Sequence, residues 1–156
     1  MKSERKLKVL VVDDEAAARD GLVRMLSDRS EVVSVHSCAN GIEAINAINE
    51  SHFDLLLLDI QMPLVDGFDV LRSVKKENIP HVVFITAYEH YAVKAFKFHA
   101  VDYVLKPFSD IRLHEVIKRV QALVHDKEHS ERLSNLLKEV QPNSKSVRAR
   151  YNLCPW

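Results

Sequence analysis

Phe53-Asp54-Leu55-Leu56-Leu57-Leu58-Asp59 sets an unbroken run of leucines directly before a carboxylate. A short apolar run without polar alternation is the mark of a strand covered on both faces, as strands of parallel sheets are. Four more short runs stand beside it: Leu7–Val12, Val32–Val35, Val82–Ile85 and Asp102–Leu105. Between them lie segments with helical spacing. Asp14 is positioned to cap the first, with Ala17, Gly21-Leu22 and Met25-Leu26 facing inward. Asn40 can cap the second, whose apolar side is Ile42, Ile45 and Ile48, or Ala44 and Ala47. Gly67-Phe68 opens the third with Val70, Leu71 and Val74. Glu89–Phe98 is the fourth, and Ser109 caps the fifth, which carries Leu113, Val116-Ile117, Val120 and Val124. Strand and helix alternate throughout, which predicts a doubly wound α/β fold: a parallel sheet with right-handed crossovers and helices on both faces.

The composition fits one domain with an appendage. The chain has 156 residues, 47% hydrophobic and 28% charged, with 22 basic residues balanced by 22 acidic ones. That balance leaves no overall field to draw it onto nucleic acid or an anionic membrane. Any DNA role would need a local patch or another domain. Cys38 and Cys154 are too far apart for a disulfide framework or a metal motif, which suits a reducing compartment. The apolar stretch at Val9–Val12 is too short for a signal peptide, and no run approaches a membrane span. The expectation is a soluble cytoplasmic protein without membrane contact.

The polar residues gain meaning from where the strands end. Asp13-Asp14 follow the first run, Asp59 the third, Thr86 the fourth and Lys106 the fifth. Each falls at a carboxyl end, the edge at which open parallel sheets bind ligands. Three neighbouring carboxylates repel one another unless a cation joins them. Oxygen donors without Cys or His suit Mg²⁺ rather than zinc. A carboxylate nucleophile, a divalent metal, a lysine and a hydroxyl together make a phosphoryl-transfer site. Singly, Asp14 could be only a helix cap, Asp59 a turn residue, Thr86 a cap and Lys106-Pro107 a loop. The constellation carries the inference.

Val11-Val12-Asp13-Asp14-Glu15, Leu58-Asp59-Ile60-Gln61-Met62-Pro63, Ile85-Thr86-Ala87 and Leu105-Lys106-Pro107 resemble the receiver domain of two-component response regulators. The resemblance spans residues 6–126 and implies a flavodoxin-like sheet of order 2-1-3-4-5. It implies that Asp59 is the phosphoacceptor, served by a sensor histidine kinase. Asp14 and Asp59 would bind Mg²⁺, with Asp13 holding a metal-bound water and the Gln61 backbone carbonyl completing the protein ligands. Thr86 and Lys106 would contact the phosphoryl group, and Tyr103 would be the aromatic switch. Pro63, Gly67 and Pro107 would set loop geometry, with Asp66 in the turn. A homodimer through the fourth helix, fifth strand and fifth helix is expected on phosphorylation. Thr86-Ala87-Tyr88, Tyr91–Phe96 and Ala100–Phe108 are similar, more narrowly, to receivers of LytTR-type transcription regulators, whose DNA-binding domain comes after a linker. Residues 127–156 are read as a helical linker and tail, with that effector domain absent and DNA reached only through it. A stand-alone phosphorelay shuttle is the alternative.

Two enzyme-like or cofactor readings fail on single positions. Haloacid-dehalogenase-type phosphatases need a second aspartate two residues beyond the nucleophile, where Gln61 stands, and a glutamine cannot give a proton to a leaving group. A flavodoxin would have to seat a flavin phosphate against Asp13-Asp14-Glu15, which repels it. The chain is therefore expected to be a phosphoacceptor and not a classical enzyme. Gln61 and Tyr88 would tune slow self-dephosphorylation, with the Tyr88 ring either shielding the site or packing on Tyr91. Within His125–Val140, Leu133, Leu136-Leu137 and Val140 fall opposite the inner stripe of the fifth helix. Either the helix breaks near Lys127–Ser130 or a stripe is left for a partner. Gln141–Trp156, with its basic run Lys145–Arg150, reads as solvated linker.

Overall fold

A computed structural model describes residues 5–140. The strands are β1 (Leu7–Val12), β2 (Val32–Cys38), β3 (Leu55–Leu58), β4 (His81–Thr86) and β5 (Asp102–Leu105). The helices are α1 (Ala16–Ser27), α2 (Gly41–Glu50), α3 (Gly67–Ser73), α4 (Ala92–Lys97) and α5 (Asp110–Val140). All strand pairs are parallel and the sheet order is β2-β1-β3-β4-β5, so the fold is the expected flavodoxin-like one.

The apolar runs work because alternate side chains serve opposite cores. Leu10, Val12, Leu56, Leu58, Val82 and Phe84 pack with α2, α3 and Ala95 of α4. Leu7, Val9, Val11, Leu55, Leu57, Val83 and Ile85 pack with α1 and α5. A polar residue at any of these positions would have a helix over it on one side or the other. The central strands therefore read as solid Val, Leu and Ile.

Several local expectations shift. Asp14 does not cap α1; the N-cap residue is Glu15, with no side-chain bond. Instead Asp13 turns back to accept the Glu15 N–H at 2.9 Å, an aspartate side chain mimicking a backbone turn. The inner face of α1 holds Leu22 and Leu26 with Met25, whereas Ala17 is exposed. In α2 the buried residues are Gly41, Ala44 and Ile48, and Ile42 is exposed. Asn40 does cap α2, accepting from the Glu43 N–H at 2.9 Å. Asp66 and Asp69 form a reciprocal capping box at α3, and Ser109 Oγ accepts from the Arg112 N–H at 3.1 Å before α5. The fourth helix begins only at Ala92, after a turn at Glu89–Tyr91.

The fifth helix does not break. It runs 31 residues to Val140, because Lys127–Ser130 loses apolar residues without gaining a glycine or proline, and Lys, Glu and Arg are good helix formers. Arg5 binds Glu128 and lies 3.2 Å from the buried Asp54, while Gln121 Nε2 donates to the Arg5 carbonyl at 3.4 Å. These contacts tie the helix to the sheet beyond residue 126. Further along, Leu133 and Leu136 are exposed, as the unbroken alternative requires.

Asp102 anchors the start of α5. Arg112 grips it through two bonds of 2.9 and 2.7 Å, and Arg119 adds a third at 2.7 Å. Burial alone would raise the Asp102 pKa; the bonds from Arg112 and the Tyr103 N–H, with the charges of Arg112 and Arg119, outweigh it and hold the carboxyl below its ordinary value. A depressed carboxylate contributes stability above its unfolded pKa and loses it as pH falls through the folded pKa. Asp102→Asn should therefore melt below wild type at pH 7, and the gap should close in titrations taken below about pH 4. A gap that stays constant down to pH 2 would contradict this account.

Candidate functional site

Backbone hydrogen bonds at the strand ends assemble the polar residues. The Asp13 N–H donates to the Cys38 carbonyl at 3.2 Å, the Asp59 N–H to the Val12 carbonyl at 3.0 Å, and the Lys106 N–H to the Thr86 carbonyl at 2.8 Å. Each residue thus sits one step past its strand, held by the neighbouring strand's last carbonyl. One carboxylate oxygen from each of Asp13, Asp14 and Asp59 lies within 4.8 Å of the others. Among the described residues they are the one group of this kind. Asp13 and Asp59 are buried, and Asp14 is exposed.

Lys106 Nζ donates to Asp13 Oδ2 at 2.6 Å and to Asp59 Oδ2 at 3.2 Å. Burial disfavours its charge, but the bond to Asp13 and the charges of Asp59 and Asp13 more than compensate and raise its pKa. For Asp59, burial pushes the pKa up; the Lys106 charge pulls it back, Asp13 adds to the rise, and the result lies above the ordinary value. Burial is the larger cause, and the cluster also carries an excess of negative charge, since three carboxylates share one ammonium. Hard oxygen donors with one exposed member fit a small divalent cation that keeps waters. Arg19 does not relieve the excess directly, because its Nη1 donates to the Asp13 backbone carbonyl at 2.8 Å.

Thr86 is fully buried, and its Oγ1 accepts from the Tyr88 N–H at 3.4 Å. Tyr103 is half-buried beside Phe84, and its hydroxyl donates to the Tyr88 carbonyl. Lys106-Pro107 is a cis peptide. Pro63 precedes Leu64, which has φ 71° and is 96% exposed. The Tyr88 ring meets Tyr91 edge-on at 6.1 Å and His90 at 5.8 Å. Gln61 donates its amide Nε2–H to the Tyr91 hydroxyl at 3.0 Å. Tyr91 joins the site only through this contact. The cluster Tyr88, His90 and Tyr91 was the available sign, but nothing in the spacing joins it to a residue 30 positions away.

The response regulator receiver domain family matches residues 9–118, and the chain belongs to that family. It is 39% identical over 141 residues to the transcriptional regulatory protein BtsR of Escherichia coli strain K12, covering 90% of this chain and 57% of that protein. The chain thus spans little more than half the length of such relatives. An uncharacterized response regulatory protein of Yersinia pestis is 42% identical over 114 residues, 73% of this chain and 48% of its own length. Among solved structures, the response regulator TrrA of Thermotoga maritima, in complex with Mg(2+)-BeF, has a TM-score of 0.64 at 31% identity, covering 72% of this chain and 97% of that one. The response regulatory domain of mrkE from Klebsiella pneumoniae likewise gives 0.64 at 32% identity, with coverage of 78% and 98%.

Gly67 shows how tightly the loop beneath Asp59 is built. A Cβ there would lie 2.5 Å from the Asp59 carbonyl oxygen, and the Gly67 N–H donates to the Ile60 carbonyl at 2.8 Å. Both partners are backbone, so neither can swing aside. Gly67→Ala should cost about 1–3 kcal/mol in denaturant unfolding; a change below about 0.5 kcal/mol would mean the loop yields freely.

Proposed function

We propose that this receiver takes a phosphoryl group onto Asp59 from a phosphohistidine on a sensor histidine kinase. The observation that carries the reading is Lys106 bound to both Asp13 and Asp59 beside the exposed Asp14. A carboxylate oxygen of Asp59 attacks phosphorus, the P–O bond forms as the P–N bond breaks, and the imidazole leaves and takes up a proton. Lys106 is already bonded to the nucleophile and can follow the charge onto the incoming phosphoryl oxygens. Thr86, at the end of the adjacent strand, would offer its hydroxyl by giving up the weak bond from the Tyr88 N–H. Asp13, Asp14, Asp59 and the Gln61 backbone carbonyl would hold Mg²⁺, which supplies the positive charge the carboxylates lack and offsets that of the phosphoryl group. Pro63, Gly67 and Pro107 fix the two loops that carry Asp59 and Lys106.

The new phosphoryl group brings about −1.5 to −2 charge. Movement of Thr86 and Lys106 towards it would be felt by Tyr103, whose hydroxyl bonds the same turn that Thr86 supports. The surface beyond is α4, β5 and α5. It exposes Val93 at 74%, Phe96 at 80% and Ile111 at 73%, an apolar group of the kind that marks an interface. We assign it to a symmetric homodimer favoured by phosphorylation. The output we infer is transcription control through a DNA-binding domain outside these 156 residues, as the likeness to BtsR and to LytTR-type receivers supports. Residues 127–156 would be the helical linker and tail leading to it, of which 127–140 are helical and 141–156 lie outside the described residues. Gln61 and Tyr88 would slow hydrolysis of the acyl phosphate. No helix among the described residues is long and apolar enough to cross a membrane.

Asp59→Asn should take no label from acetyl or carbamoyl phosphate with Mg²⁺ while keeping its melting curve, and wild type without Mg²⁺ should be equally inert. Undiminished labelling of the variant would move the acceptor elsewhere. Sedimentation of wild type at high micromolar concentration should give a dimer with beryllofluoride and Mg²⁺. An unchanged mass there would remove the dimer from the mechanism.

A further inference from the structure

Tyr91 touches both ends of the proposed switch. Its ring is fixed among aromatic neighbours, 4.1 Å from His90, 6.0 Å from Phe68 and 6.1 Å from Tyr88 between centroids. The Phe68 contact roots it in the core on that side of the sheet. So anchored, its hydroxyl accepts the bond from Gln61 Nε2 at 3.0 Å. Gln61 is exposed and two residues beyond Asp59. Without that bond, little in its surroundings would fix the amide. The same short turn also holds Tyr103, whose hydroxyl donates to the Tyr88 carbonyl.

The geometry points to Tyr91 as a positioning residue that ties the Gln61 amide to the Tyr103 turn and so sets how long phosphate stays on Asp59. This rests on Asp59 being the acceptor. Hydrolysis needs a water oxygen to attack phosphorus on the side opposite the Asp59 oxygen. The P–O bond to Asp59 then breaks, Asp59 regains its carboxylate, and inorganic phosphate leaves with one proton released to solvent. An amide held on Tyr91 is not free to turn to a water on that approach. Freed, the Gln61 side-chain carbonyl can accept a hydrogen bond from the attacking water and orient it. Tyr91→Phe keeps the ring and its packing but removes the hydroxyl that holds the amide. The coupling also runs in the other sense. A shift of Tyr103 that moves the turn would move the Tyr91 hydroxyl, linking the phosphate's lifetime to the state of the output face.

The test is the first-order decay of phosphate after the small phosphodonor is removed, in wild type, Tyr91→Phe, Gln61→Ala and the double variant. Decay constants do not depend on how much label each variant took up, and melting midpoints check the fold. Tyr91→Phe should shorten the lifetime at least about threefold where Gln61 is present, and should change nothing in the Gln61→Ala background. Equal acceleration in both backgrounds, or none in either, would overturn the role of Tyr91. A wild type that takes no phosphate on Asp59 would instead overturn the acceptor reading, and this role with it. The bond has its own signature in the unphosphorylated protein: the Gln61 side-chain amide resonances should shift in Tyr91→Phe, and unchanged resonances would also overturn the proposal.

Discussion

One ammonium holds together an edge that electrostatics would otherwise drive apart. Lys106 Nζ reaches both Asp13 and Asp59, and the two carboxylates are buried where water can do little to screen them. Remove that charge and the desolvated pair must either protonate or move apart, and the loops after β1 and β3 would move with them. The lysine can serve both only because β4 and β5 are in register, with Thr86 opposite Leu105, and the Lys106 N–H is pinned to the Thr86 carbonyl. The sheet fixes the backbone to within a hydrogen bond, and the charges then fix the side chains. Lys106 also leaves the cluster short of positive charge. In the proposed reaction, an incoming cation and phosphoryl group would meet a site built around a deficit.

Much of this is legible in the residues alone. Parallel strands covered on both faces must be almost wholly apolar, so Leu55–Leu58 could hardly be anything else, and the residue after such a strand lies at the functional edge. Caps at Asn40 and Ser109 are readable because a short polar side chain before an apolar period has one common use. The failures have equally local causes. Asp14 looks like a cap, but Asp13 has already turned back onto the Glu15 N–H, so α1 starts one residue later. Ala17 and Ile42 fit an inward stripe by spacing alone, and a one-residue change in helix phase moves a side chain by 100°. α4 is only six residues long, too short for periodicity to fix its start.

Contacts between distant segments are the least accessible part. Gln61 with Tyr91, Arg112 with Asp102, and Arg5 with Glu128 are all set by how elements meet in three dimensions. The sequence offers the partners but not the pairings. Of the two alternatives near Lys127–Ser130, the break is the one that does not occur. The change in polarity there is real, but it records where the helix leaves the sheet and not where it ends.

That departure has a mechanical consequence. From His125 to Val140 the helix extends about 24 Å with its base clamped by Arg5, Asp54 and Glu128. A stiff arm of that length turns rotation into translation: a tilt of about 5° at the base carries the tip about 2 Å sideways. Its azimuth also matters, since each residue added or removed would swing any domain attached beyond it by about 100° around the axis. Were a domain attached beyond it, as proposed, the arm would hand on a direction as well as a distance, and its length in residues would itself be part of the signal.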